Sequence, residues 1–226
     1  MSAPREESDL GEPHDERLNV YDEAGRVVGA LPRAEAKRSG LAVGAVNLLL
    51  VNARGEVLLQ RRPEDKENGG RWDKTVGGHV DAGEAFDDAA RREAGEELFG
   101  DGASPRVRLA ASPEEMRALA ATADLGREAV FRREALQLNL RDVRLAPGGG
   151  DLRNVVYHVA TYVGRTDVPL SGFRPQADEI AGLVYAAPAE VDAMLVAGRL
   201  SPNMGFLWLT HARALLALPG VEASPW

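Results

Sequence analysis

Three carboxylates stand close together at Glu93, Glu96 and Glu97, within the run Arg91-Arg92-Glu93-Ala94-Gly95-Glu96-Glu97-Leu98. If this run is helical, 100° per residue puts Phe86, Ala89 and Ala90 on one stripe, and steps of three and four carry that stripe on through Glu93, Glu96 and Glu97. The stripe begins apolar and ends acidic, with Asp87, Asp88, Arg91 and Gly95 on the other side. Carboxylates packed against a sheet repel one another and lose hydration, each effect costing roughly several kcal/mol unless a proton or a cation compensates. A hard divalent cation is the natural compensation, and Mg²⁺ held by a few carboxylates and by substrate phosphate oxygens suits this donor set best. Standing alone, the same triad is more often a solvated helix end, with Arg92 paired to Glu96 one turn on.

The elements that must position the triad follow from local pattern. Leu18-Asn19-Val20-Tyr21 and Arg26 to Leu31 read as two short strands around the turn Asp22-Glu23-Ala24-Gly25. Pro32 to Gly40 reads as a short helix. Ala42 to Asn52 is a nearly continuous apolar run, as in a strand buried on both faces. Glu56 to Arg62 gives another strand, and Pro63 to Gly70 a charged loop. The carboxylate helix is expected over Glu84–Leu98, after Gly77-Gly78. Further helices are expected at Pro113–Ala121, Ala189–Ala197 and Pro202–Leu218, the last capped by Ser201 and stopped by Pro219-Gly220. Strands are expected near Leu136–Leu145, Asn154–Val163 and Ile180–Tyr185, with a turn at Pro147-Gly148-Gly149-Gly150. Residues 1–17 read as a disordered tail and 219–226 as a C-terminal tail. Between them, 18–218 reads as one α/β domain with a mixed sheet.

Spacing identifies the whole segment. Gly78, five residues, Glu84, seven residues and then Arg92-Glu93-Ala94-x-Glu96-Glu97 resembles the signature of the Nudix hydrolase family. Val20 to Gly25, Leu58-Leu59-Gln60-Arg61-Arg62 and Trp72-Asp73 with Gly77-Gly78 resemble the branch that holds isopentenyl-diphosphate isomerase and its hydrolase relatives. The similarity is good over about 18–100 and loose over 153–218, with 101–150 an insertion or a divergent segment. The family places a glycine where this chain has Phe99, with Gly100 following, so the helix is expected to end one residue late.

The resemblance implies an α/β/α sandwich with a loop–helix–loop catalytic element, and cleavage of nucleoside diphosphate derivatives or nucleotides with Mg²⁺ or Mn²⁺. By position it makes Glu93, Glu96 and Glu97 metal ligands, with the Gly78 carbonyl as a further donor. Arg92 would orient Glu93, and Glu84 would sit near the metals or their waters. The chemical need is plain: the charge of a diphosphate repels a nucleophile until it is neutralised, and a carboxylate must take the proton of the attacking water. Glu93 is one candidate base. Glu179, in the loop before a late strand, is another candidate base or an added ligand. Arg61, Arg62, Arg71 and Lys74 flank the glycine loop and could form a phosphate pocket. His79 follows Gly78, and Trp72, Phe131, Tyr157 and Phe173 are the aromatic candidates for stacking a base.

Composition limits the alternatives. The chain has 226 residues, a net charge of −8 and no cysteine. Zero cysteine excludes disulfides, thiolate metal sites and a cysteine nucleophile, and suggests the cytosol. It also weighs against the isomerase of the same branch, whose catalytic cysteine and paired histidines are missing. An inactive nucleotide-binding module would have no need of intact carboxylates. The acidic balance argues against duplex nucleic acid, no apolar run approaches membrane-spanning length, and a phosphorylated small molecule is the expected partner. Homodimers are common in the family and supply that expectation here. Lys37, Lys66 and Lys74 are the only lysines; every other basic side chain apart from histidine is arginine.

Overall fold

A computed structural model describes residues 16–145 and 152–222. Arg17–Tyr21 (β1) and Val27–Pro32 (β2) form an antiparallel hairpin. The Asp22 carboxylate closes its turn by accepting the amides of Ala24 and Arg26 at 3.0 and 2.9 Å. Gly25 takes φ +82° there, a region that side chains disfavour. The helix expected over Pro32–Gly40 amounts to Arg33–Ala36 (α1). Ala42–Val51 (β3) runs down the middle, followed by Val57–Arg61 (β4), Trp72–Asp73 (β5) and Val76–His79 (β6). Phe86–Phe99 (α2) then leads to Val107–Ala110 (β7) and Pro113–Thr122 (α3). The long strands Ala129–Leu145 (β8) and Leu152–Arg165 (β9) follow, then Gly182–Ala186 (β10), Pro188–Val196 (α4) and Pro202–Leu216 (α5).

The sheet order is β10-β4-β3-β9-β8-β7, with β1, β5 and β6 also attached to its centre. β3 runs parallel to β9 and β7 parallel to β8, whereas the other pairs are antiparallel, so the sheet is mixed as expected. Side chains alternate along each strand. Leu49 and Val51, with Leu59, Val130 and Val163, face Val191 of α4 and Met204, Leu207 and Trp208 of α5. Leu48 and Leu50, with Leu58, Phe131 and Tyr162, face Ala89, Ala90, Ala94 and Leu98 of α2. Two apolar faces on one sheet explain why β3 reads as a continuous hydrophobic run, and they make the α/β/α sandwich.

Several boundaries differ from expectation. β8 begins at Ala129, not Leu136, because its charged residues are answered locally: Arg132 pairs with Glu134 at 2.6 Å, and Arg133 reaches Asp87 at 3.4 Å. The last strand starts at Gly182, since Ile180 closes a turn onto the Gln176 carbonyl at 2.9 Å. Of the tail expected over 1–17, Glu16 and Arg17 are described, and Arg17 opens β1; the rest lies outside the described residues, as does the turn at Pro147–Gly150. Glu222 donates its amide to the Ala53 carbonyl at 2.7 Å, tying the described part of 219–226 to the β3–β4 turn. Among the described residues no helix is long and apolar enough to cross a membrane.

Candidate active site

α2 ends one residue late, as the Phe99 departure implied. Gly100 takes φ +71° and donates to the Glu96 carbonyl at 3.1 Å, while Asp101 donates to that of Gly95 at 3.0 Å. Gly95 is buried, not on the outer side. The Asp101 carbonyl sits where a Cβ would be, so only glycine admits that turn.

β6 pairs with β3 and lays Gly77 and Gly78 across α2. A Cβ on Gly78 would overlap the Glu93 carboxylate, and one on Gly77 would overlap the Lys74 side chain. The loop after β6 is fastened by Asn19 of β1, which is buried. Asn19 accepts from the Gly83 amide and donates to the Glu84 carbonyl, each at 3.0 Å.

Arg92 is the hub. Its Nε and one Nη fork onto both oxygens of Glu84 at 3.0 Å, and that Nη also donates to the His79 carbonyl at 3.0 Å. The other Nη reaches Glu93 at 2.9 Å and Glu96 at 3.3 Å. Burial opposes its charge, but the Glu84 hydrogen bonds and the Glu93 carboxylate raise its pKa further above the usual arginine range. Glu97 stands apart from this hub. It is buried, accepting from Gln60 at 3.3 Å and from the Gly77 amide at 3.5 Å. Burial, then the nearby Glu93 charge, pushes its pKa well up. Burial likewise raises Glu93, to about 7, against the opposing pull of Arg92. Glu96 is the most exposed of the three acids, with its side chain at 37%.

Among the described residues no trio of acidic or histidine side chains converges as a cation cage. Arg92 draws Glu93 and Glu96 toward itself, while Glu97 turns to Gln60 and Gly77. The donor set still fits a hard divalent ion: it is all oxygen, and Glu97 is a buried carboxylate answered by a carboxamide, an amide and a lysine shared with Asp73. A stability test follows. Glu93 titrates near 7 when folded and near 4.5 when free, so between those values the folded state binds the extra proton. The Glu93 contribution to the stability of the metal-free protein is therefore fully present below about pH 4.5 and falls by up to about 3 kcal/mol as pH rises through 7, with Glu97 acting in the same direction. Melts of the parent against Glu93→Gln isolate this loss between about pH 5 and about pH 8, because buried neutral His79 acts on both proteins in the opposite direction, and Mg²⁺ should restore more of the parent's Tm at the higher pH. A Tm indifferent to Mg²⁺ at about pH 8 would remove the cation from this site.

Strand parity sorts the expected phosphate-binding cations. Gln60 pairs with Asp73 and Arg61 with Trp72 across β4 and β5, so the two pairs leave opposite faces. On the Gln60 side, Asp73 receives Arg62 and Lys74 at 3.4 Å each and the Ser201 hydroxyl at 2.7 Å. The Lys74 charge comes first among the influences that hold the buried Asp73 ionised. Arg61 lies on the other face, on Glu64 at 2.9 Å, and Arg71, outside the strand pairing, is drawn to the same side by the Gly198 and Leu200 carbonyls. Glu179 pairs with Lys66 at 3.1 Å, and its charge is felt at Glu97. His79 is held well below its usual pKa by burial and by Lys37, Arg33, Lys74 and Arg92, and so is neutral. Of the aromatic candidates, Phe131 and Phe173 belong to the core, whereas Trp72 and Tyr157 are only half-buried. Sequence reasoning missed Asn19, Gln60, Asp73 and Ser201. A polar residue in the apolar run Leu58-Leu59-Gln60 was the available signal.

Residues 41–116 match the NUDIX domain family. An uncharacterised Nudix hydrolase of Pseudomonas aeruginosa is 46% identical over 84 residues, 37% of this chain and 50% of that protein. An isopentenyl-diphosphate Delta-isomerase of Burkholderia multivorans is 36% identical over 85 residues, 37% of this chain and 48% of that protein. The matched stretch spans about half the length of these curated relatives. A crystal structure from Deinococcus radiodurans superposes with a TM-score of 0.58 at 24% identity, covering 88% of this chain and 99% of that one, a likeness of fold.

Proposed function

We propose that the NUDIX domain carried by residues 41–116 hydrolyses the diphosphate linkage of a phosphorylated small molecule, a nucleoside diphosphate derivative or a nucleotide. The observation that carries this is the arrangement of Glu93, Glu96 and Glu97 on α2 against Gly77-Gly78, with a guanidinium at its hub and a buried carboxylate beside it. Glu93, Glu96, Glu97 and the Gly78 carbonyl would hold Mg²⁺ or Mn²⁺. When bound, such an ion offsets the negative charge of the diphosphate and of the leaving oxygen.

The chain's own residues supply the rest. Water forms a new bond to phosphorus as the anhydride P–O bond breaks, and its proton must pass to a carboxylate. Glu93, held near 7, exchanges a proton at neutral pH and sits beside Arg92, which fixes its direction. Glu179 is the second candidate base, restrained by Lys66. Arg62 and Lys74, oriented by Asp73 on the Glu97 side, would meet the phosphate oxygens. We place the protein in the cytosol on its cysteine-free composition, and a homodimer is the assembly that sizing would test.

The named isomerase relative favours a second reading, double-bond migration in isopentenyl diphosphate. A chain without cysteine, whose site histidine is held neutral, lacks that reaction's proton donor. A Mg²⁺-supplemented screen of nucleoside di- and triphosphates, ADP-ribose, NADH and nucleotide sugars should show phosphate-bond cleavage that a chelator abolishes. Isopentenyl diphosphate should return unchanged. Its isomerisation without phosphate release would overturn the hydrolytic assignment.

A further inference from the structure

β4 and β5 wall a second concavity on the face away from the carboxylates. Arg61 and Trp72, cross-strand partners, line it with Glu64, Arg71, Gly198 and Arg199. The cleft is open to solvent and has a volume of about 500 Å³, room for a small molecule. Three guanidinium groups face one carboxylate here, in a chain whose net charge is −8, so the local field opposes the global one. Arg61 is engaged by Glu64 and by the Gly70 carbonyl at 3.2 Å, and Arg71 is pinned to backbone carbonyls. The exposed Arg199 has no side-chain partner among the described residues. Planar guanidinium forks match phosphate oxygens, and Trp72 offers a half-buried aromatic wall at the same opening.

We propose that this cleft binds a phosphorylated ring compound of nucleoside monophosphate chemistry, its phosphate on Arg199 and Arg61 and its ring against Trp72, as a site separate from the carboxylate cluster. Arg199 supplies a charge not already spent, while Arg61 can exchange Glu64 for phosphate without moving the strand. The Gln60–Asp73 pair lies between the two sites, since each neighbours a cleft residue in sequence and faces Glu97's side of the sheet. With guanidinium groups as its phosphate ligands, the proposed site needs no metal and does not depend on the hydrolytic assignment.

Calorimetric titration of the full chain, kept metal-free, with AMP and with inorganic phosphate as probes tests this. AMP should bind more tightly than phosphate, and added salt should weaken both. Arg199→Glu should weaken AMP by at least about tenfold, Trp72→Leu should erase the preference for AMP over phosphate, and Glu97→Gln should bind as the parent does. Near-UV circular dichroism checks that each variant is folded; because Trp72 also touches the core, the exposed Arg199 variant decides the matter if the tryptophan variant fails to fold. AMP binding that requires Mg²⁺, that vanishes in Glu97→Gln, or that is unchanged in folded Arg199→Glu would overturn the proposal. So would the absence of AMP binding at millimolar concentration.

Discussion

Glu97→Gln is expected to lower turnover by on the order of 10³-fold while leaving the fold intact and raising the stability of the metal-free protein. The two effects have opposite signs for one reason. Glu97 is buried beside Glu93, so its charge opposes folding and its pKa is driven up. Glutamine keeps the shape and carries no charge to desolvate: its carbonyl can accept from the Gly77 amide while its NH2 donates to the Gln60 carboxamide, turned over to present its oxygen. The variant should melt higher than the parent without metal and gain less from Mg²⁺. Steady-state kinetics and paired melts measure both quantities. Turnover at the parental rate would remove Glu97 from the machinery.

Arg92→Ala should act in the reverse sense on stability. The guanidinium satisfies Glu84, Glu93 and Glu96 together and accounts for the His79 carbonyl. Removing one partner of a fully buried ion pair costs about 3–5 kcal/mol because the other charges remain in place, and this part-buried network should lose less than that. The loss should be smaller near pH 5, where Glu93 takes up a proton, than near pH 8. Arg92→Lys should recover little, since one ammonium cannot fork onto Glu84 and also reach Glu93. Melting curves at the two pH values separate this from simple loss of packing, which would be indifferent to pH.

The carboxylate segment was legible because its information is local. Helical periodicity puts three acids on one stripe, and the spacing from Gly78 to Glu97 is carried by consecutive sequence. Periodicity misled at Gly95, which is buried because the chain returns over it at Asp101, and at Asp87, which turns to the sheet and accepts from the Tyr162 hydroxyl at 2.7 Å. What stayed hidden depends on long-range contacts. Asp73 meets Ser201, and Asn19 meets the loop at Gly83, across intervals that no local pattern spans. The division of Arg61 from Arg62 was within reach, for alternation along β4 already sends neighbouring side chains to opposite faces. Which face held the acids was the missing fact. The early start of β8 was masked by charges that read as solvent-facing until their partners were in place.

Arginine has displaced lysine nearly everywhere in this chain, and the three lysines that remain all surround the carboxylate site. Lys37 acts on His79, Lys66 holds Glu179, and Lys74 lies against Gly77 and acts on Glu97. Reagents that acylate primary amines therefore have few side chains to choose from. Labelling of the half-buried Lys66 becomes a footprint of the site's rim, readable by mass and open to protection by whatever fills it.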